Sequence, residues 1–298
     1  MFSINNKNYP KYTITYTLLI LMILICYVFI SIVTYNSNRI FDLRKIDAKY
    51  RVSLLNKYFD NVYKKNSILI VGDSQMNGSG YPTEYVFSTL LEREMDINVL
   101  NLAFSDSRIL DNIYILEYAK KKGFKFKFII FNANLHHVQL SYYHRLKVDT
   151  GKHYILGIIK DLKSFINFAF TPNVKDIQDE KFILKKFKNY FDIDKKNLEK
   201  YSMELKKLID ISKSISENVI IDITSHAYSG VVYSEKDGEE KLKLFASYIK
   251  NICKEKNVHC FEPDIKEDKY FHDIVHFNSR GHKKMAKELK QYIETISF

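Results

Sequence analysis

The sequence predicts an α/β domain built on a parallel five-stranded sheet. Five short apolar runs, Ile68–Val71, Ile97–Phe104, Phe126–Phe131, Val219–Ile223 and Val258–Phe261, read as strands. Helical patterns fill the gaps at Thr83–Glu94, Arg108–Lys122, Asn197–Ser216 and Glu239–Lys256, and a last one runs over Ser279–Ile296. Apolar strands alternating with helices need cover on both faces of the sheet, which a parallel sheet with crossover helices supplies. Such sheets place ligands at the carboxyl ends of their strands. Ser74 directly follows the first run, in "SILIVGDSQMNGSG", and is therefore expected at that edge.

Three segments are expected along the chain. Residues 1–38 form a tail and a membrane anchor, residues 39–66 a helical stalk, and residues 67–298 the α/β domain with an insertion at about 138–196. No charged residue occurs from Tyr12 to Asn38, and Thr17–Val33 is almost wholly apolar. A bilayer span needs about 20 apolar residues, so the run reads as an uncleaved signal anchor with tyrosines near its ends. Lys7 and Lys11 precede it, whereas Arg39, Arg44, Lys45, Lys49 and Arg51 follow, and this charge bias alone would put the domain in the cytoplasm. In the stalk, Ile40, Leu43, Ile46, Tyr50 and Leu54 recur at helical spacing. In the insertion, "KFILKKFKNYF" from Lys181 to Phe191 mixes aromatic and basic residues, as a cap helix or a lid would.

The composition excludes some functions. The net charge is +11, but the basic residues are interleaved with acidic ones rather than gathered into a patch. With no zinc-finger spacing, RNA-binding signature or helix-turn-helix, no nucleic-acid partner is expected. The chain has 3 cysteines and no Cys-x-x-Cys. Cys253 and Cys260 flank a helix-to-strand connection and could meet in an oxidising compartment; without a disulfide-rich pattern, two buried free thiols are the expectation. His136 and His137 are adjacent, so they point in different directions, and no carboxylate at matching spacing follows; no metal site is expected.

Four segments can meet at the strand ends: Gly72-Asp73-Ser74, "NLAFSDS" from Asn101, "FNANLHH" from Phe131, and "DIVHFNSRGHKKMA" from Asp273. A serine hydroxyl is a weak nucleophile until an oriented base takes its proton. Asp273 and His276, three residues apart in a loop, suit the orienting group and the base. A developing oxyanion needs fixed donors; the candidates are the backbone N–H groups of Ser74 and Ala103 and the side-chain amide of Asn134. Asp73 is expected to support the turn through backbone hydrogen bonds. His272 and His282 flank the last segment and are expected at the surface or just behind the site.

In order and placement these segments resemble the SGNH (GDSL-type) hydrolase family over roughly residues 66–298. The resemblance implies a flavodoxin-like three-layer sandwich and a serine nucleophile acting on esters without a cofactor. It assigns Ser74 as nucleophile, His276 as base and Asp273 as its partner, with Ser74, Ala103 and Asn134 forming the oxyanion hole. There are departures: Ala103 and Asn132 stand where the family has glycines, and Gln75 replaces the leucine after the serine. The anchor and the insertion look more like the branch that includes the teichoic-acid D-alanylation protein and the alginate-type O-acetyltransferases. That branch implies an acylated envelope polysaccharide or teichoic acid as substrate, a membrane O-acyltransferase as a partner, and an extracytoplasmic domain. A non-catalytic partner that holds an acyl carrier or polymer is the alternative the departures suggest.

Overall fold

The computed structural model describes residues 16–26, 63–78, 81, 83–105, 107–140, 195–228 and 237–296. The chain divides into two compact units, Met1–Phe41 and Asp42–Phe298. In the first, residues 16–26 are helical. Among the described residues no helix is long and apolar enough to cross a membrane; most of the expected stalk and insertion, and part of the expected span, lie outside them.

The second unit carries the sheet. Its strands are β1 (Ile68–Val71), β2 (Val99–Asn101), β3 (Phe126–Ala133), β4 (Ser216–Ile223) and β5 (His259–Phe261). All pair in parallel in the order β2-β1-β3-β4-β5, which is the flavodoxin-like order. Its helices are α1 (Ser74–Asn77), α2 (Phe87–Met95), α3 (Ile109–Lys121), α4 (His136–Leu140), α5 (Lys195–Ile215), α6 (Gly238–Lys256) and α7 (Ser279–Ile296).

Strand alternation builds the two cores. Ile68, Ile70, Phe128, Ile130 and Ile220 pack with Phe87 and Leu91 of α2 and Met285, Leu289 and Ile293 of α7. Leu69, Val71, Ile129, Phe131, Val219 and Ile221, also buried, point to the opposite face, where α3 packs on α5 and α5 on α6. Each such side chain contributes roughly 1.5–3 kcal/mol relative to exposure, so the register of β1 between β2 and β3 is strongly specified.

Several elements differ in extent from the sequence reading, three of them for a visible reason. β4 begins at Ser216 rather than Val219, because Ser216 and Asn218 pair with Phe126 and Phe128 of β3; backbone bonds extend the ladder past the end of the apolar run. β2 stops at Asn101 rather than Phe104, because the Asn101 side chain accepts the Ala103 N–H at 3.1 Å and turns the chain. Thr83–Glu94 divides into a 3-10 turn at Thr83–Tyr85 and α2, separated by Val86 in extended conformation. The cysteines also depart from expectation: Cys253 and Cys260 form a disulfide. The turn from α6 to β5 brings their Cα atoms to 5.9 Å, within the range a disulfide spans.

The β1 edge ends on Gly72, whose φ is +150°, a region nearly restricted to glycine. A Cβ there would lie 2.5 Å from Asn132 Oδ1 and 2.8 Å from Met76 Cγ. Gly123 also has positive φ, +76°, but no atom lies within 4 Å of the Cβ it lacks. Both Gly→Ala substitutions incur backbone strain of about 1–3 kcal/mol, and Gly72→Ala adds overpacking. In denaturant unfolding, Gly72→Ala is expected to destabilise by about 1–3 kcal/mol more than Gly123→Ala.

Candidate active site

The turn after β1 is built by one buried carboxylate. Asp73 is the N-cap of α1: its Oδ1 accepts the Gln75 N–H at 2.9 Å, in the usual manner of a helix N-cap. Its Oδ2 accepts from Asn134 Nδ2 at 2.9 Å and lies 3.2 Å from His137 Nε2. Burial pushes this carboxyl up, but the hydrogen bonds and charge of His137 and the amides of Asn134 and Asn132 outweigh it and hold Asp73 well below the usual carboxylate range. Asp73 thus ties the end of β1 to the segment after β3 and presents Ser74 at the first helical position.

Residues from the far end of the chain complete the arrangement. His276 Nε2 lies 2.7 Å from Ser74 Oγ, and His276 Nδ1 lies 2.7 Å from Asp273 Oδ2. A carboxylate only accepts, so Nδ1 carries the hydrogen and Nε2 offers its lone pair to the serine hydroxyl. Asp273 Oδ1 also accepts the backbone N–H groups of Val275 and His276, at 2.9 and 2.8 Å. Burial works against the ionised form of Asp273, yet the His276 ring and these two N–H groups hold its carboxyl well below the ordinary value. The structure therefore brings Ser74, His276 and Asp273 into one hydrogen-bonded chain, in which a proton can pass from Oγ to Nε2 while Asp273 fixes the ring.

The loop carrying His276 is held at three points. Phe271 and Phe277 form an antiparallel bridge. Asn278, fully buried, accepts the N–H groups of Arg280 and Gly281 at 2.9 and 3.1 Å, capping α7, and donates to the carbonyls of Lys269 and Phe271. Gln75 Nε2 donates to the carbonyls of Ser225 at 2.9 Å and Val275 at 2.6 Å, joining the nucleophile turn to both the β4 end and the histidine loop. The sequence reading passed over Asn278, although an Asn just before a helical run is a start signal. It noted Gln75 only as a departure from the family.

The expected oxyanion donors are placed differently from one another. Ser74 N–H lies in the first turn of α1, where no intrahelical acceptor exists. Asn134 spends one amide hydrogen on Asp73, which leaves its second for a ligand. Ala103 does not fit as expected: its N–H donates to Asn101 Oδ1 at 3.1 Å. Asn101 in turn is fixed by bonds from its Nδ2 to Met76 O and Ser88 Oγ, each 2.9 Å. Asn132 occupies the space opened by Gly72, accepting the Asp73 N–H and donating to Thr224 Oγ1. Of the two places expected for His282, the structure gives the one behind the site: it is buried, with its ring against Tyr81, Phe87 and Phe277. His272 stacks on His276 with ring centroids 5.4 Å apart. His137, for which the sequence suggests no role once a metal site is set aside, is the neighbour of Asp73.

Near this site burial shifts two groups toward their neutral forms. Burial pushes His226 down to about 4. Burial, reinforced by the Asp73 charge, raises Asp222 well above the usual carboxylate value, and Asp222 Oδ1 has no hydrogen-bond partner. A carboxyl raised in the folded state binds a proton that the unfolded chain has released, so stability falls as pH rises through that window. Asp222→Asn removes this proton uptake. The variant is expected to be more stable than the parent at pH 7, with the gap closing toward the free-Asp value of about 3.9 at a slope of up to about 1.4 kcal/mol per pH unit. Thermal unfolding of both proteins from pH 4 to 7.5 checks the sign.

No family model matches the sequence, and no curated protein matches it. Among solved structures the chain is similar to a lipolytic protein of the G-D-S-L family from Veillonella parvula, at 14% identity and a TM-score of 0.48, covering 76% of this chain and 98% of that one. It is similar to a catalytic mutant of an acetylxylan esterase from Geobacillus stearothermophilus, at 13% identity and a TM-score of 0.47, covering 78% and 96%. It is also similar to a family two carbohydrate esterase from Clostridium thermocellum, solved with cellohexaose, at 12% identity and a TM-score of 0.47, covering 78% of this chain and 65% of that one.

Proposed function

We propose that this chain is a serine-dependent esterase or O-acyltransferase, anchored in the membrane by the Thr17–Val33 run and acting on acetyl or D-alanyl groups of an envelope glycan or teichoic acid. The observation that carries the reading is the Ser74–His276–Asp273 chain, with both links at 2.7 Å. In the reaction Ser74 Oγ attacks the ester carbonyl while its proton passes to His276 Nε2. The carbonyl oxygen becomes an oxyanion facing Ser74 N–H and the second hydrogen of Asn134. Collapse expels the alcohol, which takes the proton from His276, and leaves an acyl group on Ser74. Water or an acceptor hydroxyl, deprotonated by His276, then takes the acyl group, and His276 returns that proton to Ser74 Oγ as the acyl bond breaks. An external location is supported by the Cys253–Cys260 disulfide, since such bonds persist in oxidising compartments, against the charge bias flanking the apolar run.

One observation favours a second reading. The Ala103 N–H is committed to Asn101, which removes one expected oxyanion donor. A chain of this kind can hold an acylated carrier or polymer beside a membrane O-acyltransferase without turning it over.

Two experiments separate these readings and test the placement of His276. Treatment with a fluorophosphonate is expected to label Ser74 in the parent and not in Ser74→Ala, and Ser74→Ala should lower ester turnover by at least about 10⁴-fold. Absence of labelling in a folded parent would sink the catalytic reading. Gln75→Leu restores the family's residue but strands the carbonyls of Ser225 and Val275, at about 1–3 kcal/mol each. It is expected to lower kcat with little change in KM, because the His276 loop loses its tether while Ser74 itself is unchanged; a change confined to KM would contradict that role.

A further inference from the structure

We propose that the loop closed by Phe271 and Phe277 is also a binding site for a divalent transition cation such as Zn²⁺, held by His272, Asp273 and His276, and that its occupancy silences Ser74. The silencing rests on the serine reading above; the cation site does not.

One ligand atom from each of the three residues lies within 4.8 Å of the others. An ion with bonds of about 2.0–2.2 Å draws its ligands to within roughly 4 Å of one another, so the set closes when the stacked imidazoles turn toward a common point. The backbone already holds the residues together. His272 N–H donates to the His276 carbonyl at 3.0 Å, beside the Phe271–Phe277 bridge, and the two imidazoles stack at an interplanar angle of 28°. All three side chains are half-buried, so the site is partly desolvated and still open to solvent. Two imidazoles and one carboxylate suit zinc, with a fourth position left open; calcium and magnesium favour sets made of oxygen.

The chemistry of silencing follows from the two ring nitrogens of His276. A neutral imidazole has one N–H and one lone pair. An ion at Nε2 takes the lone pair that the Ser74 hydroxyl needs. An ion at Nδ1 moves the ring hydrogen to Nε2, which then donates to Ser74 instead of accepting from it. In both cases His276 gains and loses no proton overall, no covalent bond to Ser74 forms or breaks, and a chelator reverses the effect. His272 is the informative residue, because it stands outside the Ser74–His276–Asp273 chain.

The test titrates zinc chloride calorimetrically into the purified full-length chain, parent and His272→Phe, and follows ester turnover in parallel, first with a chelator and then with rising zinc. Phenylalanine keeps a ring to stack on His276 and to meet Tyr81 edge to face but offers no ligand. The expected result is one ion per parent chain, with binding at least about tenfold weaker in His272→Phe. Parent turnover should be lost on saturation and restored by the chelator. Basal turnover of His272→Phe should stay within about twofold of the parent and resist zinc. Equal affinity in both proteins, no binding to the parent, or binding without loss of turnover would overturn the proposal. If neither protein turns over ester in the chelator, the serine reading has failed, while a difference in calorimetric affinity still supports the cation site.

Discussion

The buried Asp73 carboxylate is the interaction on which the rest of the site depends. An ionised carboxylate removed from water costs several kcal/mol unless its lone pairs are satisfied. Here they are met from three directions: the Gln75 N–H, the Asn134 amide and His137. Satisfying one charge therefore fixes the turn after β1 and the segment after β3 together. Ser74 sits on the residue next to that charge, so its position is a by-product of the carboxylate's solvation.

The same constraint organises its surroundings. Burial pushes the Asp222 carboxyl up toward its neutral form, and the ionised Asp73 nearby adds to that push. His226 is likewise kept uncharged by burial. The second ionised carboxylate, Asp273, lies nearer the solvent and has its own set of donors in His276 and two backbone N–H groups. Two carboxylates with different partners thus serve different ends: Asp73 holds the scaffold and Asp273 orients the ring.

The glycine replacements noted in the sequence have physical reasons in the fold. Asn132 fills the volume that Gly72 leaves and bonds the Asp73 backbone, so the bulk lost at one position is restored at another. Asn101 holds the β2 end by turning its side chain onto Ala103. Gln75 exchanges an apolar contact for two bonds across the site. These changes put side-chain amides where backbone freedom or apolar packing would otherwise serve, and they add hydrogen bonds across the strand edge.

The sequence by itself determined the alternation of strands and helices and the residue types at each strand end, because these follow from periodicities and turn chemistry acting over a few residues. It also identified which serine, histidine and aspartate to watch. Tertiary structure decided whether they meet: Ser74 and His276 are 202 residues apart, and only the β2-β1-β3-β4-β5 order and the anchoring of α7 by Asn278 bring them to one edge. The pairing of Cys253 with Cys260, the commitment of the Ala103 N–H, the burial of His282 and the approach of His272 to His276 were equally beyond a local reading. Each depends on where a loop is held by partners from other elements, and no pattern within the loop encodes those partners.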